Sequence, residues 1–418
     1  MFFGINPGLL SGGTTFSGVV VTPSTAMKSS TVYTCVTTIA SSIAKMPLKV
    51  QALHETGGWI DAPYHPLSDL FSRPNSRDKS WFQFLNNNLI QYLLFGNAYL
   101  AIIRGRDGRP SELIGLDSGQ VSVSEAQNGD RVYHATSKQF VGKKTSKANE
   151  DINGPSRTIF QDDMIHLVGS NLNNNIVGQS PITLAAEVIG IDLAIQETRA
   201  GAFRNGVSLQ YIIKTSGRYK PEKLQELREN LMKGIAGTAN TGVGPALPPD
   251  VDLIPMNLSP RDLMLPEMGE ESKRNVAMLW NFPPHKLGLD DKDAAASIEQ
   301  KERTYISETL EPITKQFEQI VNDLLLVGDD KKHYRIKFDD TQLVMPVYKD
   351  RVDAGVKAVV SGLLSPNEWR ADEGRPGYEG GDTIMRPLNT GAVGEKDGSE
   401  TTQAGEMPTD NEVESEES

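Results

Sequence analysis

Apolar positions recur at three- and four-residue steps through Val32, Cys35, Val36, Ile39, Ala40, Ile43 and Ala44. That spacing predicts one apolar face of a helix, which Pro47 ends. LKVQAL then alternates like a strand. A second helix is predicted from about Ser80, a suitable N-cap, to Phe95. GNAYLAIIRGRDGRPSELIGL predicts two strands joined by a turn at Asp107-Gly108. QVSVSEA and DMIHLVG add two more, and the Lys-, Ser- and Asn-rich residues 137–158 between them predict an exposed loop. The runs Asn86–Asn88 and Asn173–Asn175 predict polar helix or turn surface. Trp81, Trp280 and Trp369 stand at element ends, as packing anchors do.

Long helices dominate the second half. Ser180 and Pro181 suit the start of one that runs to Gly206. Its apolar residues, from Ile182 to Phe203, cover more than one stripe and predict neighbours on several sides. Residues 207–258 predict a small α/β unit: strand YIIKTS, an amphipathic helix with Leu224, Leu227 and Leu231 on one face, a Gly/Asn/Pro-rich loop and strand DLIPMNL. A second long helix is expected from about 260 to Trp280. A third carries Ile298, Tyr305, Ile306, Leu310, Ile313, Phe317, Ile320, Val321 and Leu324, and Pro312 should kink it. YRIKFDD reads as a strand, and a helix at 348–360 and an NEWR segment at 367–370 close the ordered part. No internal repeat is present.

Composition adds two ends without a core. Residues 1–25 are rich in Gly, Ser and Thr and predict a flexible arm. From Gly391 to Ser418 nine Asp or Glu face one Lys, so that stretch carries −8 of the net −12. It has no aromatic residue and cannot bury enough surface to offset its ordering entropy, which predicts a disordered acidic tail over 386–418. The remaining body, at about −4, lacks the basic footprint of a protein that grips nucleic acid. One cysteine, Cys35, excludes an internal disulfide and packs in an apolar face. MFFGINPGLLSGG has no positive n-region, and no apolar run reaches the length of a membrane span. The expectation is a soluble intracellular product, or a part of something assembled inside a cell.

Candidate chemistry is sparse. No two of the six His share a metal-ligand spacing, and no P-loop, dinucleotide fingerprint or nucleophile elbow occurs. TGVGP lacks the lysine and helix of a phosphate cradle. NFPPHKLGLDDKDAAASIEQKERTY stands apart, with Asp290, Asp291 and Asp293 in four positions. Carboxylates ligate Mg²⁺ or Ca²⁺, but EF-hand spacing is absent and Lys292 sits inside the cluster. A solvated loop flexing between two helices is the plainer reading. His285, after Pro283-Pro284, reads as a turn histidine.

Several stretches then resemble one family, the portal proteins of tailed bacteriophages, in its shorter, siphophage-type form. They are STVYTCVTTIASSIAKMPLKV, HPLSDLFSRPNSRDKSWFQFLNNNLIQYLLFGNAYLAIIRGRDGRPSELIGL, GQSPITLAAEVIG, LSPRD, NFPPHKLG and GLLSPNEWR. Their order and spacing carry the likeness over roughly residues 26–385.

The resemblance implies an α+β portal fold with an α/β wing, a long-helix stem and a small α/β clip, built into a ring with a central channel and little or no crown. It implies a wing at 26–177, stem helices at 178–206 and 259–282, a clip at 207–258, a tunnel loop at 283–297 and a return towards the wing at 298–385. His285, Lys286, Asp290, Asp291, Lys292 and Asp293 would face the channel, with Gly288, Ala294, Ala295 and Ala296 as hinges. Lys220, Lys223, Glu226, Arg228 and Asn240 would face outward on the clip. The function implied is passage of double-stranded DNA through a capsid vertex of the virion, with no catalysis, no metal and no cofactor. Expected partners are further copies in a ring, usually of twelve, the large terminase subunit, a head–tail adaptor, and the major capsid or scaffolding protein, with no membrane and with assembly in the host cytoplasm. Two alternatives stay open at the level of sequence: a metal-dependent nuclease or phosphoesterase using the 290–293 carboxylates, and a non-ring head–tail adaptor.

Overall fold

The computed structural model describes residues 13–55, 57–141, 155–171, 176–204, 210–215, five positions between 222 and 229, 251–256, 265–289, 298–340, 348–373 and 375–384. They form two compact units, divided after Val344. The first opens with β1 (Gly13–Thr14), β2 (Val20–Val21), α1 (Pro23–Ala26), α2 (Ser30–Ala44), β3 (Leu48–Leu53) and β4 (Trp59–Asp61). Next come α3 (Pro66–Ser72), α4 (Trp81–Phe95), β5 (Asn97–Arg104), β6 (Pro110–Leu116), β7 (Val121–Glu125), β8 (Arg131–Thr136), β9 (Ser156–Phe160) and β10 (Met164–Val168).

The run NAYLAIIR accounts for the layering. Every residue of β5 but the last is buried, and successive side chains point to opposite faces. Ala98, Leu100 and Ile102 enter a large core, while Tyr99, Ala101 and Ile103 enter a smaller one. β5 is the central strand of the antiparallel sheet β10-β5-β6. On the large-core side it meets α4, which packs in turn on α2; on the other it faces the sheet β7-β8-β9. Ser80 caps α4 as predicted, its Oγ accepting the Gln83 N–H at 3.4 Å. Gly96 ends that helix at φ +70, and a Cβ there would stand 2.1 Å from the Gln179 carbonyl oxygen. Cys35 is fully buried, which pushes its thiol up to about 12.

A buried polar node joins the two sheets. His166 Nε2 lies 3.1 Å from Asn97 Oδ1, and Nδ1 lies 3.2 Å from the Tyr133 hydroxyl. Asn97 gives its amide protons to the Phe95 and Gly178 carbonyls, so its Oδ1 is the acceptor and His166 carries its proton on Nε2. Burial pushes the imidazole down to about 3.

Three expectations need correction. The flexible arm gives way from Gly13 onward to a β1–β2 hairpin and α1, because Thr15, Val21 and Ala26 are buried against the body. The exposed loop at 137–158 contains Phe140, fully buried in the smaller core, whose carbonyl accepts from Arg157 Nη2 at 2.8 Å. Asn88 is not helix surface. It is buried against Gly115, where a Cβ would stand 2.6 Å from its amide. Asn173–Asn175 lie outside the described residues.

The predicted 180–206 helix is two pieces, α5 (Pro181–Leu184) and α6 (Ala186–Arg204), broken at Ala185 with φ −110 and ψ 27. Gly206 lies outside the described residues. β11 (Gln210–Thr215) and β12 (Val251–Met256) form an antiparallel ribbon, with Lys214 opposite Asp252. Between them, residues 222, 223, 225, 226 and 229 are helical. Then come α7 (Leu265–Met278), α8 (Ile298–Tyr305), a π-helical turn (Ile306–Leu310), α9 (Glu311–Leu325), α10 (Asp330–His333) and β13 (Tyr334–Phe338), which pairs with β3.

The interruption expected at Pro312 is that wider turn, with Pro312 seated in the first turn of α9. Proline has no N–H to return to the Glu308 carbonyl, and its ring crowds that oxygen. The Glu308 carbonyl accepts instead from Asn281 Nδ2 at 3.4 Å.

The second unit contains α11 (Tyr348–Val360) and α12 (Pro366–Asp372). Ser365 and Glu368 form a reciprocal capping box. The Trp369 ring lies on Gly355, where a Cβ would stand 2.3 Å away.

Candidate functional site

The segment after α7 is built by its own sequence. Asn281 adopts the left-handed region at φ +50 and ends the helix, with Phe282 N–H bonding back to the Ala277 carbonyl at 2.9 Å. Pro283-Pro284 start one 3₁₀ turn over Pro284–Leu287, and Gly288 closes it at φ +70. Leu289 is buried again. Residues 290–297, which include Asp290, Asp291, Lys292, Asp293, Ala294, Ala295 and Ala296, lie outside the described residues.

Both flanks of that stretch are fastened together. Lys286 Nζ meets Glu302 Oε1 at 2.7 Å and Oε2 at 2.9 Å, and stands 4.5 Å from the Tyr305 ring centroid. His285 Nε2 is 3.9 Å from Glu302 Oε1, outside hydrogen-bond reach. Tyr305 is buried, with Phe282 edge-on to its ring, and burial pushes its phenol up to about 12. Its hydroxyl donates to Ser42 on α2 at 3.4 Å. The Asn281 carbonyl accepts from Thr309 Oγ1 at 2.7 Å, and Trp280 Nε1 donates to the Leu93 carbonyl at 3.1 Å. The described chain on either side of 290–297 therefore stands on one braced platform.

α6 and α7 pack side by side. Asp192, buried in α6, accepts from Ser29 Oγ at 2.6 Å, Gln196 Nε2 at 2.8 Å and Ser272 Oγ at 3.1 Å. Ser29 is also the N-cap of α2, so one carboxylate ties α2, α6 and α7. A buried charge holds such a position when its oxygens are met by donors, as here. Asp192 and Glu302 were missed at the level of sequence, although an Asp inside the apolar run IGIDLAI was a signal for the first.

Of the positions expected to face outward, Lys223 and Glu226 are helical and exposed, and Lys220, Arg228 and Asn240 lie outside the described residues. Among the described residues, no group of three or more His, Cys, Asp or Glu is placed to hold a metal, and no helix is long and apolar enough to cross a membrane.

A family model described as phage portal protein matches residues 30–374. The chain belongs to the phage portal protein family. The match takes in every element from α2 to α12 and the whole 283–297 segment. The chain is 24% identical to the probable portal protein of Streptomyces phage phiC31, covering 92% of this chain and 83% of that one. It is also 24% identical to the portal protein of Enterobacteria phage HK97, over 85% and 81%. An uncharacterized protein of Rickettsia bellii is 26% identical over 84% and 88%.

Among solved structures, a chain from the neck of an empty GTA particle, computed with C6 symmetry, has a TM-score of 0.56 at 21% identity. That likeness covers 85% of this chain and 94% of that one. A crystal structure of an HK97 family phage portal protein from Corynebacterium diphtheriae has a TM-score of 0.52 at 14% identity, over 78% and 98%. These likenesses establish the portal fold for a chain of mixed helix and sheet.

Proposed function

We propose that this portal protein forms the ring at one capsid vertex through which double-stranded DNA enters and leaves, with α6 and α7 as the stem and 283–297 as the loop facing the channel. The family match across residues 30–374 carries the reading, because it spans both helices and the loop together. The braced base at Asn281, Lys286, Glu302 and Thr309 supports the loop's part in it. A loop that must hold its place beside moving DNA needs fixed ends, and these ends are fixed by side chains on both flanking elements. The neck of a related GTA particle was computed with C12 symmetry, which supports a ring of twelve.

The exposed helix that carries Lys223 and Glu226, with the β11–β12 ribbon, forms the outward clip for the large terminase subunit and the head–tail adaptor. The body acts as a conduit and not as an enzyme. A weakly acidic wall suits that task, because each neutralised phosphate adds affinity and a basic lining would slow the cargo. The test is the mass of the purified full chain together with electron microscopy along the ring axis. Closed rings with a central opening are expected. A chain that stays monomeric across concentration and ionic strength, or rings with 283–297 on their outer rim, overturns the reading.

A further inference from the structure

We infer that the N-terminal hairpin, with Phe16 at its tip, is an interlock between adjacent copies of this chain. The inference rests on the ring reading above. The hairpin is built with care for an element so short. Thr15 Oγ1 bonds to Ser17 Oγ at 2.6 Å and to the Val19 carbonyl at 2.9 Å, closing the tip. The Phe16 backbone N–H is held by both oxygens of Glu187 on α6, at 3.0 and 3.1 Å. Thr15 and Ser17 lie directly on Gly190 of α6, where a Cβ would come within 2.9 Å of each. The backbone of the tip is thus anchored to α6, yet the Phe16 side chain is 101% exposed. Fixing a large aromatic side chain in water gives up the free energy its burial would return, so its place in the fold is explained by a surface that covers it.

The patch extends beyond one side chain. Leu184 and Ile191, three residues before Glu187 and four after it in the α5–α6 segment, are 52% and 48% exposed. Val20 on the second hairpin strand is 48% exposed. The Phe16 N–H is fastened to Glu187, between Leu184 and Ile191 in the chain, so a surface that covers those two reaches the tip as well. The occupant is a second copy of the chain. α6 is the helix proposed for the stem, and in a closed ring each stem helix has an adjacent copy beside it at every position. Ring contacts join two different patches of one molecule, so the hairpin meets a surface other than itself.

Phe16→Asp and the conservative Phe16→Leu separate the outcomes in the full-length chain. Each is compared with wild type by thermal unfolding of the subunit and by mass photometry over a concentration series. Unchanged subunit unfolding is expected, because Phe16 touches no core. The concentration at half assembly should rise about tenfold or more for Phe16→Asp, since burial of a Phe is worth more than a decade in equilibrium constant. Phe16→Leu should restore most of it. Equal assembly of Phe16→Asp and wild type overturns the interlock while leaving the ring reading intact. Absence of rings in wild type overturns the ring reading, and the interlock with it. With p-benzoylphenylalanine at position 16, illumination should give covalent dimers of this chain. Cross-links confined to its own chain, or made to another virion protein, overturn the inference.

Discussion

At the scale of single residues, buried polar groups do more than the exposed charges do. His166 shows the consequence most directly. Its imidazole is neutral in the fold and titrates normally once unfolded, so the unfolded chain binds the extra proton between about pH 6.5 and about 3. Stability from this group is complete above pH 6.5 and is lost as the pH falls towards 3, with a slope approaching about 1.4 kcal/mol per pH unit. In His166→Gln, which keeps a donor and an acceptor, urea midpoints from pH 6.5 to 4 should fall less steeply than in wild type. Parallel profiles would remove His166 as a source of acid sensitivity. Little of this was legible in sequence. A single His in DMIHLVG looks like any strand histidine, and its partners Asn97 and Tyr133 are remote in the chain. Asp192 is similar, because the donors that make its burial tolerable come from α2 and α7 as well as its own helix.

At the scale of elements, local chemistry and tertiary packing divide the work. Ser80, Ser180 and Gly96 act on their immediate neighbours, so both ends of α4 and the start of α5, though not its end at Leu184, could be read from sequence. The strand NAYLAIIR was legible because its apolar run is nearly unbroken. The hairpin at 13–21 was not, because a Gly/Ser/Thr-rich stretch has no periodic signal, and contacts with α6 and α1 hold it. Pro312 announced a disturbance but not its form: in the wider turn the Glu308 carbonyl, which proline cannot serve, is met by Asn281 Nδ2 from a remote part of the chain.

The base of the 283–297 segment should respond as an element too. Partly exposed pairs such as Lys286–Glu302 contribute about 0–1 kcal/mol, and a cation over an aromatic ring adds about 0.5–1. Glu302→Gln should therefore shift the global melting temperature little while speeding amide hydrogen exchange at 285–289 severalfold. Unchanged exchange there would show that Pro283, Pro284 and Gly288 hold the turn alone.

At the scale of the whole molecule, the placement proposed for the loop turns a small sequence feature into a repeated one. An Asp at the channel wall becomes a circle of carboxylates in the ring. Under that placement, Asp290→Lys with Asp291→Lys leaves ring mass unchanged. DNA packaging in a terminase-driven assay slows severalfold at low salt and recovers as salt is raised, because added phosphate contacts weaken with ionic strength. Slowing that ignores salt would place these residues away from the DNA path. The sulfur chemistry of the chain has a whole-molecule consequence of its own. Its sole thiol is fully buried and pushed up to about 12, far from the thiolate form that reacts. Copies of this chain therefore hold no native-state thiolate to exchange with one another or with a small disulfide. Contacts between copies should be the same in added thiol reductant and in added oxidised glutathione, and a change in ring mass between the two would show the thiol to be reachable.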